Sequence, residues 1–364
     1  MFAGLVSEQG FWVASTPSSS PEPLLTAHKH CSLHTNHAHC ATYPQHRNPS
    51  AQTGSDTPGL FGMGEQPHIV RRPEHLATGG TDSEIRRSCS HGDWTRLHRG
   101  AYVSTQPFSE LDAHARHRLQ VHAIAKAAKA DAVVSHTSAA VLHGLELWNI
   151  PLRLVHLTRN RRGGGSTSTH RQVHSALFTA DEVTTVDGLR VTTLARTVVD
   201  LARSLPFEPA LVAGNSALHR TPLALADITS NLAGVPRHPS HRHAFHAIDA
   251  MDGRIESVGE SRSLALFVSE HLPMPEPQVQ IGDARVDFLW REHRTVGEFD
   301  GRVKYGRFVP VGRTPEDVLW AEKLREDRLR DAGWQVVRWT WADLSTPQVV
   351  SDRIRAAFNR GRTP

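Results

Sequence analysis

Apolar positions recur without any period up to about residue 66, and with helical or strand periods from there onward. The first 66 residues are rich in Ser, Thr, Pro, Gly and His, so we expect a disordered extension or one that arises from start-codon choice. Ordered structure is predicted from Ile69. Arg71–Ala77 reads as a short helix ended by Gly79-Gly80. Thr81-Asp82-Ser83-Glu84 is a capping-box pattern, with Thr81 at the N-cap and Glu84 at the third helical position. The helix it opens runs to about His91, where Gly92 stops it, with Ile85 facing inward and Arg86 and Arg87 outward. Trp94–Tyr102, with Arg99-Gly100 at a turn, reads as a small β-wing. Helix, turn, helix and wing in so short a span predict a winged helix over 67–110.

The stretch 111–250 is expected to be an α/β middle region. Leu111–Ala130 reads as a long helix, and within Val133–Leu147, which contains Ser135–Gly144, Ala139, Leu142 and Leu145 suit a buried helix face with Gly144 as C-cap. Leu152–Thr158 and Gly188–Thr193 read as strands. Thr193–Leu205 reads as a helix in which Arg196 and Asp200, at i and i+4, form a structural ion pair. Pro222–Ala250 is helical around a Pro/His-rich loop. From 251 the order is helix (Ser257–Glu270), three strands (Gln278–Ile281, Ala284–Trp290, Thr295–Asp300), helix (Glu316–Ala332), strand (Trp334–Trp341), helix (Pro347–Phe358). That order predicts an α/β sandwich around a mixed sheet, and a multidomain α/β protein as a whole.

Composition sharpens this picture in three ways. The hydrophobic share is 38%, low enough to require unfolded sequence somewhere, which the first 66 residues supply. No apolar run approaches the ~20 residues that span a bilayer, so a membrane partner is not expected. The start lacks a basic region and a clear cleavage site, and three Cys in 364 residues make no disulfide framework, so a cytoplasmic protein is the expectation. The net charge is only +4, but residues 71–130 hold 10 basic against 6 acidic side chains. Arg86, Arg87, Arg96 and Arg99 are the candidate DNA contacts there; the alternative is a solvated basic face. Cys31, His34, His37, His39 and Cys40 have zinc-ligand chemistry but no finger spacing, so a solvated tail is the favoured reading.

The sharpest chemistry is acidic. If Ala284–Trp290 and Thr295–Asp300 form a hairpin in which 290 faces 295, then Asp287 lies across from Glu298, and Asp300 shares the Glu298 face. Like charges opposed on a sheet repel. No Arg or Lys on those two strands lies between them, so the cluster is expected to take a cation. Oxygen donors suit Mg²⁺ or Mn²⁺, held by Asp287 and Glu298. Exposed, water-screened acids are the alternative, against which stand the apolar neighbours Phe288, Leu289, Trp290, Val296 and Phe299.

Asp287-Phe288-Leu289, Val296-Gly297-Glu298-Phe299-Asp300-Gly301, the helix from Glu322 and Val336-Val337-Arg338-Trp339 resemble the Vsr-like branch of the PD-(D/E)XK nucleases. Ser135–Gly144 and Gly188–Leu201 resemble actinobacterial AbiEi-type antitoxin-like proteins, which join a winged helix to such a nuclease-like domain. The resemblance covers about residues 69–345. It implies a restriction-endonuclease-like domain over 251–364 and adds Glu260 as the leading-helix acid. Two departures stand out: Asp300 occupies the position where that family has Lys, and Val303-Lys304-Tyr305 the place where Vsr-like proteins have His. Lys304 is the first candidate substitute and Lys323 the second; solvated lysines are the alternative for both.

The leading expectation is therefore a metal-dependent DNA endonuclease guided by a winged helix, with Asp287, Glu298, Asp300, Lys304 and Glu260 at the catalytic site. The alternative is a non-enzymatic DNA-binding regulator, an antitoxin with a toxin protein as second partner. The oligomeric state is left open.

Overall fold

A computed structural model describes residues 67–235, 240–301 and 314–361. The extension over 1–66, with the Cys31–Cys40 run, and Lys304 lie outside the described residues. The described residues form a mixed α/β fold with three sheets.

The first sheet forms around β1 (Val70–Arg71), β2 (Trp94–His98) and β3 (Ala101–Ser104), in the order β1-β3-β2. Between β1 and β2 lie α1 (Arg72–Ala77) and α2 (Asp82–His91). The capping box at α2 forms as its sequence predicts: Glu84 N donates to Thr81 Oγ1 at 3.2 Å, and Thr81 N to Glu84 Oε2 at 2.8 Å. Gly92 ends the helix in the left-handed region at φ 83°. Leu97, Ala101 and Val103 pack against Leu119 and Ala123 of α4 (Ala113–Ala125), which follows a short α3 (Thr105–Glu110).

The second sheet has six strands. They are β4 (Ala132–Val134), β5 (Val155–Asn160), β6 (Ser166–Thr167), β7 (Arg171–Ala176), β8 (Val183–Val186) and β9 (Leu189–Thr192), in the order β6-β7-β5-β4-β9-β8. The β5–β7 and β4–β9 pairs are parallel. Within Val133–Leu147 the chain makes β4, whose Val133 and Val134 are buried in the sheet, and then α5 (His136–Leu142), with Ala139 and Leu142 on its buried face as expected. Four helices follow: α6 (Leu194–Ser204), α7 (Phe207–Arg220), α8 (Leu225–Gly234) and α9 (Ser240–Asp249).

The third sheet follows α10 (Val258–Ser269). Its strands are β10 (Glu276–Ile281), β11 (Ala284–Trp290), β12 (Thr295–Asp300) and β13 (Gln335–Thr340), in that order, antiparallel except for the parallel β12–β13 pair. The crossover carries α11 (Pro315–Asp331), and α12 (Pro347–Gly361) closes the chain. The hairpin register is the expected one: Trp290 faces Thr295 and Leu289 faces Val296. On one face Phe267 meets Phe288, Trp290 and Trp339 edge-on, at ring centroids 5.0, 5.1 and 5.7 Å. On the other, Leu289, Val296 and Val336 pack with Leu329 of α11.

One apolar cluster runs from Val198 and Leu201 of α6 through Leu211 and Ile248 to Leu264, Phe267, Trp339 and Ile354. The boundary expected near residue 250 therefore falls inside a continuous core. No helix among the described residues is long and apolar enough to cross a membrane.

Candidate functional site

The four candidate arginines are all exposed. Ile85 anchors the inner face of α2, which turns Arg86 and Arg87 outward one residue later. Arg86 makes only helix-local bonds, to Asp82 O and Ser83 Oγ. Leu97 is buried on β2, so Arg96 on its other side faces out, and Arg99 sits in the hairpin turn beside Gly100 at φ 76°. Arg72 pairs with Asp82 at 2.6 Å and joins the two helices, and His75 meets Trp94 edge-on at 5.5 Å. The result is a rigid small unit with cationic side chains on both its helix and its hairpin.

The carboxylates are arranged differently from the expectation of a bare acidic pair. Asp287 is half-buried, and its Oδ2 accepts Phe299 N at 2.8 Å across the hairpin. Glu298 is 7% exposed and lies beneath α11. Its Oε2 is 2.8 Å from Arg338 and its Oε1 is 2.7 Å from Arg325. Arg338 is the residue beside Glu298 in the parallel β12–β13 register. Glu322 bridges the same two guanidiniums, at 2.9 and 2.6 Å, and Glu326 reaches Arg338 at 3.3 Å. The premise that no cation lies beside these acids is thus corrected: the cations come from β13 and α11, not from the hairpin. Burial pushes the Glu298 carboxyl above its ordinary range, Arg325 and Arg338 pull it back, and Glu322 and Asp287 push it up again.

The other expected members stand apart. Glu260 is buried at the start of α10, where it accepts from Glu256 N (3.0 Å), Ser257 Oγ (2.7 Å) and Gln278 Nε2 (2.9 Å). These bonds make it a capping group that ties α10 to β10. Asp300 ends β12, half-buried. Lys323 is exposed and lies over the Trp320 ring, 5.6 Å from its centroid, on the solvent side of α11.

A second polar cluster lies in the six-stranded sheet, and the sequence reading missed it. Arg196 is 2% exposed and forms the predicted pair with Asp200 Oδ1 at 3.0 Å, adding Glu182 at 2.9 Å. Asp200 Oδ2 is buried with no hydrogen-bond partner and is 4.0 Å from His136 Nδ1. His136 stacks on His174 at 3.8 Å, and His156 Nδ1 is 2.9 Å from His174 Nε2. His136 opens α5 with φ 51°, a left-handed conformation that costs a non-glycine residue of order 1–3 kcal/mol. Burial lowers all three imidazoles, His156 to about 4, so the rings are neutral. The signal that could have found them is strand alternation: His156 falls between core residues Val155 and Leu157. It needed the β5–β7 pairing to become legible.

No family model matches the chain. Two proteins of Mycobacterium tuberculosis, the uncharacterized protein MT2308 of strain CDC 1551 / Oshkosh and the uncharacterized protein Rv2248 of strain ATCC 25618 / H37Rv, are each 26% identical to it over 238 residues, 64% of this chain and 83% of theirs. The crystal structure of the Mycobacterium tuberculosis RV2827C protein aligns with a TM-score of 0.36 at 14% identity, over 60% of this chain and 83% of that one.

Proposed function

We propose that the protein is a DNA-binding regulator of the antitoxin-like kind, with a winged helix at 67–110 that contacts DNA and a nuclease-like C-terminal domain that does not cleave it. The observation that carries the second half is the ion-pair cage on Glu298. Metal-dependent phosphodiester hydrolysis needs carboxylate oxygens turned toward an ion. Here both oxygens of Glu298 lie within ion-pair reach of guanidiniums, Oε1 without a hydrogen bond, and Glu260 spends its oxygens on helix capping. The charge of Glu298 is thus met by guanidiniums rather than left for Mg²⁺ or Mn²⁺.

The DNA-binding half rests on the exposed Arg86 and Arg87 of α2 and on Arg96 and Arg99 of the hairpin. In a winged helix these two elements meet the groove and the adjoining backbone. Each phosphate contact releases about one counterion. Binding to duplex DNA should therefore weaken steeply with salt. The double variant R86A/R87A should bind less tightly, with a slope smaller by about 2 in log Kd against log salt. Fluorescence anisotropy over a salt series reads this; an unchanged slope and affinity would remove the assignment.

A metal-dependent endonuclease is the second reading. It is favoured by the position of Asp287 beside the Glu298 strand, bonded to Phe299 N. Incubation of supercoiled and mismatched duplexes with Mg²⁺ or Mn²⁺ separates the two readings. Cleavage by the wild type that is lost in Glu298→Gln would establish the enzyme and overturn the regulator.

A further inference from the structure

We propose that His136, His156 and His174 form a binding site for a divalent transition ion of the Zn²⁺ class, with the Asp200 carboxylate close by as a balancing charge. The proposal does not depend on whether the protein binds or cleaves DNA.

The three imidazoles offer one nitrogen each, and these atoms all lie within 4.8 Å of one another. Among the described residues this is the one group of three or more His, Cys, Asp or Glu side chains so placed. Tetrahedral zinc with Zn–N near 2.05 Å sets its donors about 3.3 Å apart. The 2.9 Å contact between His156 Nδ1 and His174 Nε2 would open by a few tenths of an ångström, and the wider ones close by ring rotation.

The scaffold brings the rings together from three directions. β5 and β7 run parallel with Thr158 beside His174, which puts His156 and His174 on a diagonal of the same sheet face. α5 starts at His136, directly after β4, and lays that ring on His174. A carboxylate of α6 lies beside the cluster. Asp200 Oδ1 is engaged by Arg196, while Oδ2 is buried, has no hydrogen-bond partner and is 4.0 Å from His136 Nδ1. An acceptor left bare inside a protein calls for a partner, and a cation between it and the imidazoles would be one.

Charge balance permits it. Arg196 and Arg203 both act on His136, and Asp200 and Glu182 match their two charges, Asp200 interacting with each of them. Nitrogen and oxygen donors without sulfur suit Zn²⁺ among the common ions, with Ni²⁺ and Co²⁺ as substitutes. Three imidazoles leave one coordination position open, and the ion would join β5, β7 and α5.

The test uses the full chain, stripped with chelator and titrated with zinc chloride against a chromophoric competitor. Wild type should take up zinc at a tight site that the His156→Gln/His174→Gln variant loses, with affinity down by more than about 100-fold. The His-rich tail is controlled separately. A variant with Cys31 and Cys40 changed to Ser and His34, His37 and His39 to Gln should keep the tight site. Equal zinc binding by the wild type and the His156/His174 variant, or its loss in the tail variant alone, would overturn the proposal. So would the absence of any tight site in wild type. If the His156/His174 variant does not fold, X-ray absorption of wild type with one equivalent of zinc decides the matter. Nitrogen and oxygen scatterers with an imidazole pattern are expected, and a sulfur shell would place the ion elsewhere.

Discussion

Arg338→Met is the perturbation that tests the reading of the C-terminal domain most directly. Arg338 lies 2.8 Å from Glu298, 2.6 Å from Glu322 and 3.3 Å from Glu326. Removing it leaves Glu298, only 7% exposed, and Glu322 to share Arg325, while Glu326 keeps Arg330. Breaking a buried pair by deleting one partner costs about 3–5 kcal/mol. Arg325 stays in contact with Glu298, and Arg338 itself is 29% exposed, so the low end applies, about 2–3 kcal/mol. In a chain of this size that is a fall in Tm of about 5–10 °C. The pH dependence has a definite sign. Burial already makes the native Glu298 bind its proton more readily than in the unfolded chain, and loss of Arg338 strengthens that preference. A raised native pKa weakens stability as pH rises above the unfolded glutamate value of about 4.3. The deficit of the variant should therefore narrow as pH falls from about 8 to about 5. Thermal melts of both proteins across that range, with and without Mg²⁺, read all three effects. Wild type should be indifferent to millimolar Mg²⁺, because guanidiniums already balance the acids and the imidazoles do not suit this ion. A deficit below about 0.5 kcal/mol, or one flat with pH, would refute the cage. So would a wild type stabilised by Mg²⁺.

Two other substitutions probe the packing that holds these sites. Gly297→Ala would place a Cβ 2.6 Å from Trp339 Cη2 and 2.9 Å from Trp290 Cζ3, so it should cost about 1–3 kcal/mol in urea unfolding, and a wild-type midpoint would contradict the packing described. Arg196→Met would leave Asp200 buried without its guanidinium and should lower stability by about 3–5 kcal/mol; Arg196→Lys should recover only part, since a single ammonium cannot replace the separate nitrogens that meet Asp200 and Glu182. A lysine variant as stable as wild type in thermal melts would show that point charge alone suffices.

What was legible in the sequence was local. The Thr81–Glu84 box, the Gly92 stop, the Arg196–Asp200 spacing and the Trp290–Thr295 hairpin each join residues a few positions apart, where one chemical rule decides the conformation. The strands missed before β9 are short or polar: β6 is two exposed residues and β8 carries two exposed threonines, so neither shows an apolar alternation. α7 was missed for the opposite reason. Pro209 through Ala217 are buried on every side, and a helix without a polar face has no period to find. The candidate sites depended on contacts of longer range. Asp287 and Glu298 could be set opposite each other because a short turn joins their strands. Arg338 enters beside Glu298 only through a parallel pairing across the α11 crossover, and parallel pairing leaves no local mark on either strand. The same applies to the imidazoles, where the parallel β5–β7 register converts two unremarkable strand histidines into neighbours. An acidic pair read from a hairpin therefore gives the charge that must be balanced, but not what balances it. Three carboxylates on one sheet face demand cations, and a guanidinium from the next strand meets that demand as fully as an ion would. Here the neutralising group is a guanidinium forty positions downstream of the acid it meets, a separation that no local pattern on the hairpin reveals.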